Sequence, residues 1–366
     1  MKSEKGAIFY SPRAGSQSGP INNIELETDE VLAGMEEIDI DFVITWVNDE
    51  DPDWRLKRSK YLPSQGEDSK PARYRDWGLL TYLFRGFEFF TPWVRKVFLV
   101  TDCNPPEWLD IENTKLEIIN PNILIPEECV PTFNVNAIES NLHRIPGLSE
   151  HFVYFNDDMI LLKPLKKTAF FKQGKPCDSA ILSPIITTQI LDVGSIAVNN
   201  MGVINLHFKK KEVIHKHIHK WINYHYGIDN FRTLCVLPWR HLPGFDNPHL
   251  PQGFRKSIFE KVWSLEGSRL TEVCQHRFRN YYADINQWLF RYWQLCEGEF
   301  VPASKNRGKY FTADQCDRIC SEIKKRRKSF ICINDSDSID DITSIRNQIL
   351  TALSAMLPKP SSFEKQ

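Results

Sequence analysis

Three observations lead this 366-residue sequence to predict an α/β fold built on a mainly parallel, doubly wound sheet. Short apolar runs of strand character alternate with segments that are apolar at helical spacing, the order that generates parallel sheets. Three of those runs, "IDIDFVITWVN", "VRKVFLVTD" and "HFVYFNDD", turn polar at their C-terminal ends. A composition of 42% hydrophobic and 25% charged residues supports a large core.

Residues 1–37 mix Ser, Gly, Pro and charges without periodicity and read as a flexible leader. Ile38, Ile40, Phe42 and Ile44 then alternate, marking a strand over 38–47. "RDWGLLTYLFRGFEFF" (75–90) is helical in spacing and stops before Thr91-Pro92, because a residue preceding proline disfavours the α region. Strands are expected at 94–102 and 115–120, the second closed by Pro121. "AIESNLHRI" (137–145) reads as a helix stopped by Pro146-Gly147, and 151–157 as the next strand. Together these place an α/β core at 38–208.

From 209 the pattern changes. Residues 209–226 read as a helix, 233–253 as a long Pro-rich loop, and 254–300 as helices rich in aromatics and Arg. The stretch 209–323 is therefore expected to be mainly helical. A basic run with a short strand (324–335) and a helix (340–356) then return to the core, making 38–366 one catalytic domain with a helical C-terminal subregion.

A net charge of −1, from 46 basic and 47 acidic residues, points away from nucleic acid as a partner. Nine cysteines at irregular spacing fit reduced thiols of a cytoplasmic protein better than a disulfide framework. Cys316 and Cys320 have no second pair to complete a zinc site. The N-terminus lacks the apolar core of a secretory signal, and Ser, Thr, Gln and Asp192 interrupt the apolar stretch 179–198, so no membrane span is expected.

Ligands of doubly wound sheets bind beyond the C-terminal strand ends. Asn156, Asp157 and Asp158 sit at such an end, where burying an unpaired charge is costly. Two readings fit: an Asx turn capping backbone amides, or hard oxygen ligands for Mg²⁺ or Mn²⁺. Thr45, Trp46, Val47 and Asn48 form a second polar end, where Trp46 offers an apolar wall. Asp49, Asp51 and Asp53 lack the glycine and terminal Glu of a calcium loop, and His215 and His219 lack the Glu of an H-E-x-x-H site. His249 lies between Pro248 and Pro251, whose fixed φ would position its imidazole for acid–base work. Arg277 and Arg279 offer the forked donors that phosphate chemistry favours.

Taken together, four ordered blocks resemble the Stealth family of sugar-phosphate transferases. They are "IDFVITWVNDEDPDW"; "RYRDWGLLTYLFRGFEFFTPWVRKVFLVTD" with "PTFNVNAIESNLHRIPGLSEHFVYFNDD"; "NPHLPQGFRKS" with "HRFRNYYADIN"; and "FICIND" with "PKPSSFE". Family members include bacterial capsular polysaccharide phosphotransferases and the catalytic part of the lysosomal-enzyme N-acetylglucosamine-1-phosphotransferase. Asp49, Leu79 and Val135 depart from the family's usual Gly, Glu and Ser.

The resemblance implies a Rossmann-like, GT-A-like fold with helices on both sheet faces. It also implies transfer of a hexose-1-phosphate from a UDP-sugar donor to a hydroxyl of a growing capsular or exopolysaccharide acceptor, releasing UMP. By it, Asp76, Asp158, His249 and Arg279 would be catalytic. Thr45, Trp46, Val47, Asn48, Arg75, Asn134 and Asn136 would bind substrate. Asn156, Asp157 and Asp158 would hold the Mg²⁺ or Mn²⁺ ion, with His249 preferred over Asp158 as base. The expected setting is cytoplasmic, compatible with peripheral contact at the inner membrane face or with other capsule-assembly enzymes. The rival readings are a metal-dependent glycosyltransferase releasing UDP and a non-catalytic polysaccharide-binding or assembly protein.

Overall fold

The chain enters the fold at β1 (Ile40–Thr45), a strand buried along its whole length. The computed structural model describes residues 38–365 except 62, 64–66, 69, 188–189, 336–338 and 340, so the expected leader lies outside the described residues. Asp51 then caps the amides of Asp53 and Trp54 at 2.9 and 3.1 Å, starting helix α1 (Pro52–Ser59). Helix α2 (Leu80–Phe90) begins later than its periodicity suggested. Gly78 is left-handed at φ 70°, and the Asp76 carboxylate accepts its amide at 2.9 Å, so residues 75–79 form a turn instead.

Strands β2 (Val97–Val100) and β3 (Leu116–Ile119), helix α3 (Val135–Ser140) and strand β4 (His151–Asn156) follow, then β5 (Met159–Leu161) and α4 (Val193–His207). Next come β6 (Gln252–Arg255), α5 (Lys256–Gln275), α6 (Trp288–Glu297), β7 (Gly308–Thr312), α7 (Cys316–Lys325), β8 (Phe330–Asn334) and α8 (Ile342–Met356). The main sheet runs β3-β2-β1-β4-β6; the first four strands are parallel, and β6 is an antiparallel edge beside β4. A second sheet, β7-β8-β5, pairs β7 parallel and β5 antiparallel to β8.

Alternation along β1 divides the core in two. Phe42 and Ile44 pack with residues of α2, α7 and α8, whereas Val43 packs with residues of α4, α5 and α6. The expected α/β class with helices on both faces is therefore present. Two local expectations differ. The 233–253 stretch opens inside a helix, Asn230–Val236, and its last two residues begin β6. The helix expected over 209–226 ends at Lys216 and restarts at Ile218, because His217 leaves helical geometry at φ −129°.

In the helical region, α6 delivers one buried cation. Arg291, 1% exposed, grips Asp178 through Nε at 2.7 Å and Nη2 at 2.9 Å. Its Nη1 donates to Asn247 Oδ1 at 2.8 Å and to the Asp246 carbonyl at 3.1 Å, fixing the turn that leads to His249. Cys316 and Cys320 lie with their sulfurs 4.0 Å apart in α7 and form no disulfide. Among the described residues, no helix is long and apolar enough to cross a membrane.

Removing Asp178 strands a buried guanidinium, so Asp178→Ala is expected to cost about 3–5 kcal/mol of unfolding free energy. Urea denaturation at constant m-value reads this; an unchanged midpoint would show that Arg291 is satisfied without its carboxylate.

Candidate active site

Strand β4 ends at Asn156, and the chain reverses through Asp157 and Asp158 into β5, which belongs to the other sheet. The reversal opens on a cavity of about 480 Å³ at the C-terminal ends of β1, β2 and β4. Of the candidates named from sequence, Thr45, Trp46, Val47, Arg75, Asp76, Asn136, Asn156, Asp157, Asp158, His249 and Arg279 line it. Asn48 and Asn134 are not in that lining. Asn48 accepts the Glu50 amide at 2.9 Å and shapes the loop after β1. Asn134, fully buried, caps α3 at the Asn136 amide and donates to Asp284 at 2.9 Å.

His249 Nε2 stands 3.4 Å from Asp158 Oδ2, which also receives the Cys332 thiol at 3.1 Å. Burial favours the neutral form of both partners. Their mutual charge and hydrogen bond prevail, so Asp158 lies below the usual carboxylate range and His249 above the usual imidazole range. Asp157 is pushed well up, first by burial and then by the charges of Asp158 and Asp76. Burial raises Asp76 as well.

Among the described residues, one group of His, Cys and acidic side chains has metal-compatible spacing: Asp158, His249 and Cys332. Burial and the Asp158 charge hold the Cys332 thiol protonated, so it serves as a donor and not as a thiolate ligand. Asn156 Oδ1 and Asp158 Oδ1 are buried without a hydrogen-bond partner. Two orphaned oxygens beside mutually repelling carboxylates make a donor set that fits a hard divalent cation.

Family models match in three places: Stealth protein CR1, conserved region 1, over residues 39–66; CR2, conserved region 2, over 73–178; and CR4, conserved region 4, over 321–366. The exopolysaccharide phosphotransferase cps2G of Lactiplantibacillus plantarum is 40% identical over 329 residues, covering 89% of this chain and 96% of that protein. The chain belongs to the Stealth family. Capsular polysaccharide phosphotransferase WcwK of Streptococcus pneumoniae is 38% identical over 92% of this chain and 100% of its own length. Receptor polysaccharide phosphotransferase WefC of Streptococcus gordonii is 38% identical over 89% and 98%. With these relatives, this Stealth protein is a phosphotransferase, an enzyme that moves a phosphate-containing group. Among solved structures, apo mouse xyloside xylosyltransferase 1 aligns over 81% of this chain and 98% of its own, at 12% identity and TM-score 0.34.

In this Stealth chain, His249 and Arg279 fall between the matched regions yet fold into the same cavity. Arg279 arrives on a two-residue pairing with Glu67–Asp68, and the next amide, Asn280, is held by Asp284 at 2.8 Å. Among the described residues, Arg279 has no carboxylate within 4.0 Å. Arg75 pairs with Asp335 at 2.7 Å, and both line the cavity.

Sequence reading missed Glu139 and Tyr154. Tyr154 hydrogen-bonds Thr45 Oγ1 at 2.7 Å and donates to Glu139 Oε1 at 2.9 Å; Glu139 Oε2 is buried without a partner. Burial pushes the Glu139 carboxyl up to about 7. The available signal was spacing: Glu139 stands three residues after Asn136 on the inner face of α3.

Because its folded pKa is raised, Glu139 takes up protons on folding between its ordinary value near 4.5 and about 7. Its contribution to stability falls as pH rises through that window. Glu139→Gln is thus expected to match the parent near pH 4.5 and exceed it by about 3 kcal/mol at pH 8. Melting curves across pH test this; a pH-independent difference would mean that Glu139 ionises normally in the fold.

Proposed function

We propose that this Stealth protein transfers a hexose-1-phosphate, such as an N-acetylhexosamine-1-phosphate, from a UDP-sugar to a hydroxyl of a growing capsular or exopolysaccharide. UMP is released and a phosphodiester is formed. The observation that carries the reading is the convergence of the Asp158–His249 pair and Arg279 on one cavity at the strand ends. The names of the 38–40% identical relatives supply the polysaccharide class.

In this mechanism the acceptor oxygen attacks the sugar-bearing phosphorus. The bond from that phosphorus to the bridging oxygen breaks, and UMP leaves with the electron pair. Neutral His249, whose Nε2–H faces Asp158, takes the hydroxyl proton at its other ring nitrogen, Nδ1, and Asp158 stabilises the resulting imidazolium. Arg279 bears on the equatorial phosphoryl oxygens, where charge stabilisation is the main lever of phosphoryl transfer. Thr45, Trp46, Val47 and Arg75 contact the donor, Asn136 completes the substrate wall, and Asp76 orients the acceptor or the neighbouring carboxylates. Asn156, Asp157 and Asp158 would hold a Mg²⁺ or Mn²⁺ ion, which supplies positive charge against the donor diphosphate. The setting is the cytoplasmic side of the inner membrane, with peripheral contact to the membrane or other capsule-assembly enzymes.

Purified protein given a UDP-sugar panel, Mg²⁺ and a capsular oligosaccharide is expected to release UMP only with acceptor present. Acceptor-dependent UDP would instead assign glycosyl transfer and refute the mechanism. His249→Ala is expected to lower kcat by about 10²–10⁴ and Arg279→Ala by about 10²–10³; full activity in both would remove them from the site.

The pH profile gives an independent check. Activity should rise with pH as the imidazolium of His249 deprotonates, with that limb above the ordinary histidine range because Asp158 stabilises the cation. In Asp158→Asn the stabilising charge is gone, so the residual activity should rise at lower pH than in the parent. An unmoved limb would assign the ionisation to another group.

A further inference from the structure

The stretch from Ile186 to His241 carries charge and exposure that phosphoryl transfer does not use. Residues 206–241 carry seven Lys and Arg and two acidic residues, Glu212 and Asp229, in a chain whose net charge is −1; Lys210 is buried, and Arg232 pairs with Asp246 outside the stretch. Large apolar side chains stand in solvent on the same stretch: Ile190 is 92% exposed, Ile228 90%, Leu206 71%, Phe231 67% and Trp239 52%. Helix Asn230–Val236 turns Thr233 and Val236 inward and leaves Phe231 and Leu234 outward, the reverse of an ordinary surface helix.

Hydrogen bonds hold the 205–210 and 236–242 segments of this stretch together. Lys210 Nζ donates to the carbonyls of Val236 at 2.7 Å, Leu237 at 3.0 Å and Trp239. Asn205 pairs with both backbone groups of Leu242, at 2.9 and 3.0 Å, setting Leu206 near His241. The surface also adjoins the active site. Arg232 bonds Asp246 at 2.7 Å, one residue before the cavity-lining Asn247. Helix α4 exposes Val198 and Leu206 while placing Val193 and Ile196 in the cavity wall.

We propose that this face docks on an anionic lipid bilayer, orienting the cavity along the membrane surface. The proposal rests on the reading above, in which the acceptor grows at the inner membrane face, and names the surface that makes the contact. Aliphatic side chains this exposed gain by entering the acyl boundary, Trp and Tyr favour the headgroup layer, and Lys and Arg are drawn to anionic lipid. A soluble polyanion would satisfy the cations and leave Ile190, Ile228 and Leu206 in water. A second copy packed by two-fold symmetry would set the same cations against each other.

The test is flotation of the full chain with vesicles of phosphatidylglycerol and phosphatidylethanolamine, against vesicles of phosphatidylcholine. Binding is expected on the anionic vesicles, at least tenfold weaker on the neutral ones, and weakened by salt. The variant Ile228→Ser/Phe231→Ser/Trp239→Ser should lose at least tenfold in flotation, as should Lys209→Glu/Lys211→Glu/Arg240→Glu. Both should keep the parent's melting temperature and its nucleotide release with a soluble oligosaccharide. Failure of nucleotide release in the parent, with flotation intact, would sink the phosphotransfer reading and leave the docking face standing. Flotation that is absent, indifferent to lipid charge or undiminished in the variants overturns the docking proposal. So does a parent dimer that the Ser variant dissociates.

Discussion

The two-residue reversal at Asp157-Asp158 is the constraint on which the rest depends. Strand β4 belongs to the parallel sheet and β5 to the smaller one, so the chain changes sheets within a single turn. That turn cannot drift, because the Asp158 carbonyl accepts the Ile333 amide at 2.9 Å and β5 is laddered to β8. The most charged point of the core is thereby fixed at the seam between two sheets. Hydrogen-bonded strands meet it from both sides, and a carboxylate there keeps its position without needing a long side chain or a flexible loop.

Two buried polar hubs bring the remote groups to that seam. Arg291 ties Asp178 to the 246–247 turn and so places His249 over Asp158. Asp284, fully buried, accepts from Asn134, Asn136 and the Asn280 amide and pairs with His276 at 2.8 Å. It therefore joins the segment carrying Arg279 to the helix carrying Asn136 and Glu139. Both hubs are charged groups with several geometrically defined partners, and such networks fix orientation as well as distance. Apolar packing alone would hold these segments together without fixing where the imidazole and guanidinium sit.

The sequence made the parallel core legible because its strands are apolar runs with polar ends and helix α2 stops at the Thr91-Pro92 signal, whereas α3 stops at Ser140, short of Pro146-Gly147. Asp158 and Thr45 could be read as site residues for the same reason. Glu139 and Tyr154 could not, since a lone Glu in a short helix and a Tyr within an apolar strand look like ordinary packing until Thr45, Tyr154 and Glu139 are seen in one hydrogen-bonded chain. The turn at 75–79 was hidden because its decisive feature is a left-handed glycine, which periodicity does not report. The Pro-rich 233–253 stretch concealed the start of β6, whose pairing with β4 is a long-range contact that local spacing cannot carry.

The charges in the cavity explain why one acidic pair can do two different things. Asp158 has His249 as a neighbour, which holds its carboxyl below the usual range; Asp157, one residue away, is pushed upward by burial and by the charges of Asp158 and Asp76. Asp76 and Glu139 are also pushed upward by burial. A diphosphate entering among these groups meets Arg279 as a favourable charge and the ionised Asp158 as an unfavourable one. Adding a divalent cation would lower the pKa of Asp157 as well as screening Asp158, turning a mutually repelling pair into a ligand set. In the proposed reaction, cation and donor would therefore bind with positive coupling, each reducing the electrostatic cost of the other.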